Sequence, residues 1–368
     1  MMTQKVSYYE VKGTHYEIGR QLARKAATKG AFLPAPAFWG EKELEEALAL
    51  YDQYCPGIVE ELKGYAEASG GKIKDIAYTW MSYLVPRCSG LIVLGSQMND
   101  GHTRLARNYE FSVGTDEEVT LCKTMVEGKY AHIGGAVAVF GRHEGINECG
   151  LAVSMSSCGL PVSNLQGMRP AGIKGLQFWA VIRSLLENCK NVDEALKAAL
   201  EMPIAFNINL YLADASGKAA LLETMNGKVA YEMIDQSTTK KFLYGTNHIA
   251  IPSFQKEEPM AMENSIVRFN TLKAFTESHE TLNEQDIKDL LLAKYPEGMT
   301  CYYYDGWFGT VKSMVMDTVA RKLSVCWFGR AENGWEEYTF DEAIKEHSEE
   351  KYIEKEAVVE AVFAMKNL

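Results

Sequence analysis

Apolar residues fall at helical spacing along the first part of the chain. Between positions 13 and 27, Tyr16, Ile18, Leu22 and Ala23 lie as on one face of a helix. The same spacing predicts further helices over 41–54, 58–68 and 73–84, with the last of these ending before Pro86. Residues 8–11 read as a short strand. The pattern therefore predicts a mainly helical N-terminal segment over 1–87.

From position 88 onward the pattern changes to short apolar runs separated by turn residues. Asn99-Asp100-Gly101 divides two such runs and predicts a hairpin whose first strand begins at Cys88. The predicted strands span 90–95, 103–111, 119–126, 136–141, 151–156, 209–213, 219–224, 228–233 and 242–246, with a last hairpin formed by 310–316 and 322–328. The predicted helices span 175–186, 192–202, 264–276, 284–292 and, at the end of the chain, 353–365.

Blocks of strands thus alternate with pairs of helices, without regular βαβ units and without a GxGxxG turn. This order favours an α+β fold with an antiparallel β core and segregated helices, and it disfavours a dinucleotide-binding fold. We expect residues 1–87 and 88–368 to form one compact unit, because no low-complexity linker separates them.

Composition and charge exclude several classes of protein. Among 368 residues, 38 Lys and Arg stand against 49 Asp and Glu, a net charge of −11 that disfavours nucleic-acid binding. The chain start lacks the pattern of a signal peptide and no apolar run is long enough to span a bilayer, so we expect a cytoplasmic protein. The eight cysteines form no CxxC and the seven histidines form no HxH or HExxH, so we expect reduced thiols, no metal and no cofactor.

Cys88 is the leading candidate for chemistry. The predicted hairpin brings its thiol next to the strand that carries Arg107 and Glu110. A thiol is nucleophilic as the thiolate, which a nearby guanidinium favours. The alternative is a buried apolar thiol without a chemical role.

Several short motifs occur in an order that resembles the family of acyl-coenzyme A:6-aminopenicillanate acyltransferase. This family belongs to the N-terminal nucleophile (Ntn) hydrolases and is related to the choloylglycine, or bile-salt, hydrolases. The similar segments are Gly13-Thr14-His15-Tyr16-Glu17-Ile18-Gly19, Cys88-Ser89, Arg107-Asn108-Tyr109-Glu110, Gly145-Ile146-Asn147-Glu148-Cys149-Gly150-Leu151, Asp214 to Gly217 with Glu223, Thr246-Asn247-His248, and Ser265 with Arg268.

The resemblance implies a four-layer αββα sandwich, in which helices cover two antiparallel sheets. It also implies self-cleavage of the bond between Arg87 and Cys88, which leaves Cys88 as a new N-terminus. A free α-amino group has a pKa of about 7.7–8.0, so it can accept the thiol's proton near neutral pH. Cys88 would then attack an amide or thioester carbonyl and form an acyl-enzyme.

Further roles follow from the resemblance, each with a structural alternative. Asn247 would donate to the oxyanion, or else cap a strand end. Asn147 would supply a second donor or orient the amine, or else occupy a turn. Arg107 would hold the thiolate or oxyanion, or form a strand-face ion pair. Arg268 would bind Glu110 or the substrate, or form an ordinary helix salt bridge.

An aromatic run near the C-terminus is the candidate acyl pocket, with core packing as its alternative. The residues concerned are Tyr302, Tyr304, Trp307 and Phe308.

Two positions depart from the family pattern. Arg87 stands where the penicillin-forming enzymes carry glycine, and its bulk is expected to slow the strained turn that self-cleavage requires. Glu110 replaces the usual aspartate and adds a methylene beside the cysteine.

The function implied is that of an N-terminal-cysteine amidohydrolase or acyltransferase for linear non-peptide amides or acyl-CoA thioesters, either monomeric or homo-oligomeric. Two alternatives stay open: a bile-salt-type or N-acyl-amino-acid hydrolase, and an unprocessed relative that binds a small molecule without catalysis.

Overall fold

A computed structural model describes residues 2–29, 40–73, 87–113, 119–137, 140–160 and 172–368. Before Cys88 it contains helices α1 (His15–Lys29), α2 (Glu41–Tyr54) and α3 (Ile58–Ser69). The helix predicted over 73–84 lies outside the described residues from position 74 onward.

The larger sheet has nine strands in one path and a tenth, β6, paired to β5. Its central order runs β11-β10-β9-β8-β7-β5-β4-β1-β18, and all its described pairings are antiparallel except that of β1 with β4. The strands are β1 (Met2–Gly13), β4 (Thr120–Val126), β5 (His132–Val137), β6 (Gly141–Arg142), β7 (Glu144–Asn147), β8 (Ala152–Ser157), β9 (Ile208–Ala213), β10 (Ala219–Met225), β11 (Lys228–Ile234) and β18 (His347–Ile353).

The second sheet is antiparallel and runs in the order β12-β2-β3-β15-β16-β17, with β14 paired to β15. A short pair, β13 with β19, stands apart from both sheets. These strands are β2 (Ser89–Val93), β3 (Arg104–Phe111), β12 (Phe242–Gly245), β13 (Met260–Met262), β14 (Tyr302–Tyr303), β15 (Phe308–Asp317), β16 (Lys322–Trp327), β17 (Glu336–Tyr338) and β19 (Met365–Asn367).

Alternation along each strand divides the apolar side chains among three layers of core. On β2, Leu91 and Val93 face one side, whereas Ile92 and the following Leu94 face the other. Ile92 and Leu94 belong to the cluster between the two sheets, together with Ile133 of β5.

Helices cover the two outer faces. Helices α4 (Phe178–Asn188) and α5 (Val192–Glu201) join α1 to α3 in an apolar cluster with the larger sheet. Helices α6 (Glu263–Ser278) and α7 (Glu284–Leu292) contribute to the apolar cluster on the outer face of the second sheet, the face that points away from the larger sheet. The predicted α+β sandwich of four layers, helix, sheet, sheet and helix, is thereby confirmed.

Three sequence expectations need correction. Strand β1 covers Met2–Gly13 rather than 8–11 and lies between β4 and β18, so the first 87 residues are not only helical. The strand expected over 136–141 begins earlier, at His132. The terminal helix expected over 353–365 is wrong, because β18 ends at Ile353 and Met365–Asn367 pairs with β13.

Both hairpins predicted in what is the second sheet are confirmed, since β2 pairs with β3 and β15 pairs with β16. Within the described part of the chain, none of the helices combines the length and the apolar character needed to cross a membrane.

Candidate active site

Cys88 lies in a strained backbone conformation immediately before β2. Its φ of 78° is in the left-handed region, which a residue with a Cβ rarely adopts. The side chain is only 3% exposed, and its Sγ lies 3.9 Å from the main-chain oxygen of Glu110 on β3. The pairing of β2 with β3 thus fixes the thiol beside the strand predicted to carry its partners.

The peptide group before Cys88 is held by Ser157, the last residue of β8. The main-chain N–H of Ser157 donates to the carbonyl oxygen of Arg87 at 3.0 Å, and the Ser157 hydroxyl donates to the same oxygen at 3.3 Å. The N–H of Arg87 in turn donates to Ser157 Oγ at 2.7 Å. The carbonyl of the bond between Arg87 and Cys88 therefore already receives two hydrogen bonds.

Asn247 and Arg268 hold the other side of Cys88. Asn247 Nδ2 donates to the carbonyl oxygens of Cys88 and Ser157 at 3.0 and 2.9 Å. Arg268 donates to Asn247 Oδ1 at 2.5 Å and lies 3.5 Å from the Cys88 oxygen. Glu110 Oε2 lies 3.5 Å from Arg268 Nη1. The structure brings these four predicted residues together.

Two further residues fix the loop that carries Asn247. Ser265 Oγ accepts the N–H of Asn247 at 2.8 Å and lies 2.7 Å from His248 Nδ1. Glu223 accepts the N–H groups of Ala250 and Ile251 at 2.6 and 3.1 Å. Both residues occur in the sequence motifs, and the structure gives them positioning contacts.

Arg107 faces a second buried carboxylate. It donates to Glu144 Oε2 at 2.8 Å and to the His143 carbonyl oxygen at 2.7 Å. Lys312 Nζ lies 3.4 Å from Glu144 Oε1. Arg107 Nε and Nη2 have no hydrogen-bond partner within the described part of the chain. The guanidinium thus retains two nitrogens whose N–H groups are unpaired among the described residues, and its charge acts on the Cys88 thiol.

Burial controls the protonation of the thiol. It raises the pKa of Cys88 to about 11, against the opposing charge of Arg107, so the thiol stays protonated at neutral pH. Burial also raises the pKa of Glu110, although Arg268 and Arg107 oppose it. Attack of this thiol on the carbonyl of a separate substrate therefore requires a proton acceptor.

The two histidines near these motifs do not supply one. Burial lowers the pKa of His248 to about 4 and that of His143 well below its ordinary value. His248 contacts Ser265, and the His143 ring packs on Tyr109 with centroids 4.2 Å apart.

Asn147 is engaged in a different part of the fold. Its Nδ2 donates to the carbonyl oxygens of Leu186 and Cys189 at 2.9 and 2.7 Å, and its Oδ1 accepts the N–H groups of Cys149 and Leu151 at 3.1 and 3.0 Å. With every hydrogen-bonding position used, these contacts favour the turn role over that of a second donor at Cys88.

The aromatic run divides into core and surface residues. Tyr302 and Tyr304 are buried, and their hydroxyls donate to the carbonyl oxygens of Gly329 and Thr310 at 3.1 and 2.5 Å. Phe308 is buried beneath Arg268, whose guanidinium carbon lies 4.9 Å from the centroid of the Phe308 ring. Trp307 is 49% exposed, so it alone of the four combines a surface position with a contact to Arg87.

Sequence reasoning missed Ser157, Glu144 and Lys312. Ser157 is 70 positions from Arg87 along the chain, and the two meet only because β8 of one sheet ends opposite the start of β2 in the other. Serine at a strand end carries no signal for such a contact. Glu144 and Lys312 read as strand-face charges until the two sheets are packed together.

A group of possible metal ligands occurs away from Cys88. Asp100, His102 and Asp317 place one ligand atom each within 4.8 Å of one another. The Arg104 guanidinium lies 2.6 Å from Asp100 and 3.0 Å from Asp317. One guanidinium therefore already pairs with both carboxylates, and the group carries no argument for a metal.

The chain is similar to known proteins in its sequence and in its fold. The family model for acyl-coenzyme A:6-aminopenicillanic acid acyl-transferase matches residues 97–332, a range that begins after Cys88. No curated protein matches the sequence.

Solved structures similar to the chain include penicillin V acylase from Agrobacterium tumefaciens, at 17% identity, over 65% of this chain and 83% of that chain, with a TM-score of 0.40. They also include two mutant forms of conjugated bile acid hydrolase from Clostridium perfringens, at 13% and 12% identity, each over 74% of this chain and 99% or 100% of that chain, with TM-scores of 0.43 and 0.46. Because the family match spans more than half of its residues, the chain belongs to the acyl-coenzyme A:6-aminopenicillanic acid acyl-transferase family.

Proposed function

We propose that this protein is a self-processing N-terminal-cysteine amidohydrolase or acyltransferase that acts on linear non-peptide amides or acyl thioesters. One observation carries the proposal. The peptide group between Arg87 and Cys88 combines a left-handed φ at the nucleophile with two hydrogen bonds from Ser157 to its carbonyl oxygen. Strain raises the energy of the intact bond, and donors at the carbonyl stabilise the charge that develops when it is attacked.

Self-cleavage would begin with attack of Cys88 Sγ on the Arg87 carbonyl carbon. The Ser157 N–H and hydroxyl would stabilise the oxyanion. As the C–N bond breaks, the thiol's proton passes to the Cys88 nitrogen, which leaves a thioester of Arg87 on sulfur. Water then adds to the thioester, releasing the Arg87 carboxylate and restoring the thiol. The Cys88 nitrogen becomes a free amine.

That amine would serve as the proton acceptor for attack on a separate substrate. Its pKa of about 7.7–8.0 in model peptides leaves part of it neutral at pH 7.5. It would take the thiol's proton during attack on a substrate carbonyl and return a proton to the leaving amine or thiolate. Water resolving the acyl-enzyme gives hydrolysis, and an amine resolving it gives acyl transfer.

The surrounding residues would divide between positioning and charge stabilisation. Asn247 and Arg268 hold the Cys88 carbonyl, so their proposed role is to fix the nucleophile. Nε and Nη2 of Arg107 and, after the cut, the N–H of Ser157 would be donors for a thiolate or a substrate oxyanion. Glu110 compensates the charge of Arg268. We further propose that the enzyme acts on small molecules in the cytoplasm.

The test is the intact mass of the purified, denatured protein. We expect two pieces, residues 1–87 and 88–368, and an N-terminal cysteine on the larger one. An active sample in which Cys88 remains internal would overturn the N-terminal-nucleophile mechanism. A single uncut and inactive species would instead support the alternative of a binding protein.

A further inference from the structure

The side chain of Arg87 occupies a site formed by two aromatic rings. Its guanidinium carbon lies 4.7 Å from the centroid of Phe111 and 5.9 Å from that of Trp307, which is within the range of cation–π attraction. The two rings meet edge to face, with centroids 5.3 Å apart and an interplanar angle of 90°. We call Phe111 and Trp307 the aromatic slot.

The slot is built on the sheet rather than on a free loop. Phe111 ends β3, one residue after Glu110, and pairs with Gly309 near the start of β15. Trp307 directly precedes β15, and its main-chain N–H donates to the main-chain carbonyl oxygen of Tyr304 at 2.9 Å. Arg87 is 4% exposed, whereas Trp307 is 49% exposed, so the slot reaches from the buried peptide group to the surface.

Self-cleavage would make the chain its own first acyl donor. The acyl group transferred to Cys88 in that step is Arg87, and its side chain lies in the slot. A substrate whose carbonyl uses the same sulfur and the same Ser157 N–H must place its acyl group where Arg87 lies. Once residues 1–87 are cut free at their C-terminal end, the slot can exchange Arg87 for that group.

We propose that the aromatic slot is the acyl subsite of the mature enzyme and that it takes acyl groups ending in a flat cation such as a guanidinium. This inference rests on the proposed function and deepens it. Cys88 sulfur bonds to the substrate carbonyl carbon, the amide C–N bond breaks, and the amine leaves with the proton that the Cys88 amine received from the thiol. Water then releases the cationic acid and regenerates the thiol.

The test uses mature enzyme, with cutting first verified by intact mass, and a matched pair of substrates. Nα-acetyl-arginine 4-nitroanilide and Nα-acetyl-citrulline 4-nitroanilide have nearly the same shape and differ in the charge of the terminal group. We expect kcat/KM to be about tenfold higher for the arginine compound, as expected for a cation between two rings.

Variants then locate the preference. Trp307→Leu is expected to reduce the ratio to below threefold. Tyr231→Leu is the matched control, because Tyr231 is 52% exposed on β11, the far edge strand of the other sheet, and it should leave the ratio unchanged. Acetanilide derivatives, which have no group for the slot, should be cleaved equally by the wild type and by Tyr231→Leu.

Several outcomes would overturn the inference while leaving the proposed function intact, all in protein shown to be cut after Arg87. Equal kcat/KM on the arginine and citrulline compounds would do so, as would an arginine-to-citrulline ratio that is unchanged in Trp307→Leu. A preference for the corresponding phenylalanine anilide, or failure to cleave the arginine compound, would also overturn it. If the intact mass shows no cut, both proposals fail, because Arg87 then never leaves the slot.

Discussion

At the scale of single residues, the surroundings of Cys88 favour cleavage of its own peptide bond before reaction with a substrate. Its burial and the resulting pKa of about 11 keep the sulfur protonated and unreactive toward outside compounds in the uncut chain. The strained φ of Cys88 lies next to the peptide bond that would be cut. The cut would then create the amine that later activates the sulfur, so the order of the two reactions is built into one residue.

Replacing Cys88 with alanine should abolish both cutting and activity while leaving the fold nearly intact. Removing one sulfur atom from the core is expected to lower the free energy of unfolding by about 1 kcal/mol, the cost of a buried group of that size. Cys88→Ser should cut slowly, because a hydroxyl is a weaker nucleophile than a thiol. Intact mass, amidase assays and urea unfolding measure the three properties. Amidase activity in Cys88→Ala would mean that another residue is the nucleophile.

Asn247→Ala should slow turnover of the cut enzyme by about 10²-fold, the size of effect that a misplacement of about 1 Å at the reacting group can have. Here the expected cause is loss of the bonds that hold the Cys88 and Ser157 carbonyls. Asn147→Ala is the informative comparison, since it removes four hydrogen bonds of a buried side chain, against three for Asn247→Ala, in a different part of the fold. Both variants should lose stability, of the order of 1–3 kcal/mol.

Steady-state kinetics on protein proved to be cut separate the two asparagines. Turnover that falls in Asn147→Ala as much as in Asn247→Ala would restore Asn147 to the catalytic group. A change of less than threefold in Asn247→Ala would make it a strand-end cap.

At the scale of elements, alternation and turn residues predicted most strands and both hairpins of the second sheet. The prediction of a terminal helix was wrong. Residues 353–365 contain good helix formers, but β19 at the end of this segment is fixed by its pairing with β13, about a hundred positions away. The site divides in the same way. Cys88, Arg107 and Glu110 were predicted because they share one hairpin, whereas Ser157 enters through packing of one sheet on the other, which no local pattern encodes.

A buried polar cluster joins the helical layer to the larger sheet. Arg183 on α4 lies 2.9 Å from Glu61 on α3 and 2.5 Å from Glu187, and His15 on α1 lies 3.2 Å from Glu61. His132 on β5 lies 3.5 Å from Glu187. Burial lowers the pKa of His132 to about 3. The cluster therefore holds a neutral histidine that unfolded protein would protonate below pH 6.5.

Acid should weaken the fold through His132. Between pH 6.5 and 3 the unfolded chain binds a proton there that the folded chain does not, so stability falls as the pH is lowered through this range. Urea unfolding at pH 7.5 and 5 should show a smaller loss in His132→Gln than in the wild type, by up to about 1.4 kcal/mol per pH unit. The pKa of Glu187 is also lowered in the folded chain, from an ordinary value of 4.5. At or above pH 5 the Glu187 carboxylate is mostly ionised in both states, so it contributes little to the measured loss. Equal losses in the two proteins would exclude His132 as the acid-sensitive group.

At the scale of the whole molecule, the N-terminal segment is a structural part of the sandwich. Strand β1 pairs with β18 on one side and with β4 on the other, and α1 and α3 share the apolar cluster that covers the larger sheet. A cut at Arg87 would sever the chain without severing these contacts.

The two pieces of the cut protein should therefore stay together under native conditions. Size exclusion should give one peak that contains both residues 1–87 and 88–368, and only denaturant should separate them. The uncut Cys88→Ala variant gives the reference elution volume. Loss of the smaller piece on a native column would show that β1 does not hold it.

The position of β1 also limits how the mature enzyme can be made. A chain that is expressed from Cys88 onward would lack β1, the strand between β4 and β18. Both of these strands would then expose unpaired backbone groups to other chains. Such a product should aggregate, whereas two separate genes for the segments, expressed together, should complement each other. The segment before the nucleophile would then act less like a removable leader than like the small subunit of a heterodimer translated as one chain.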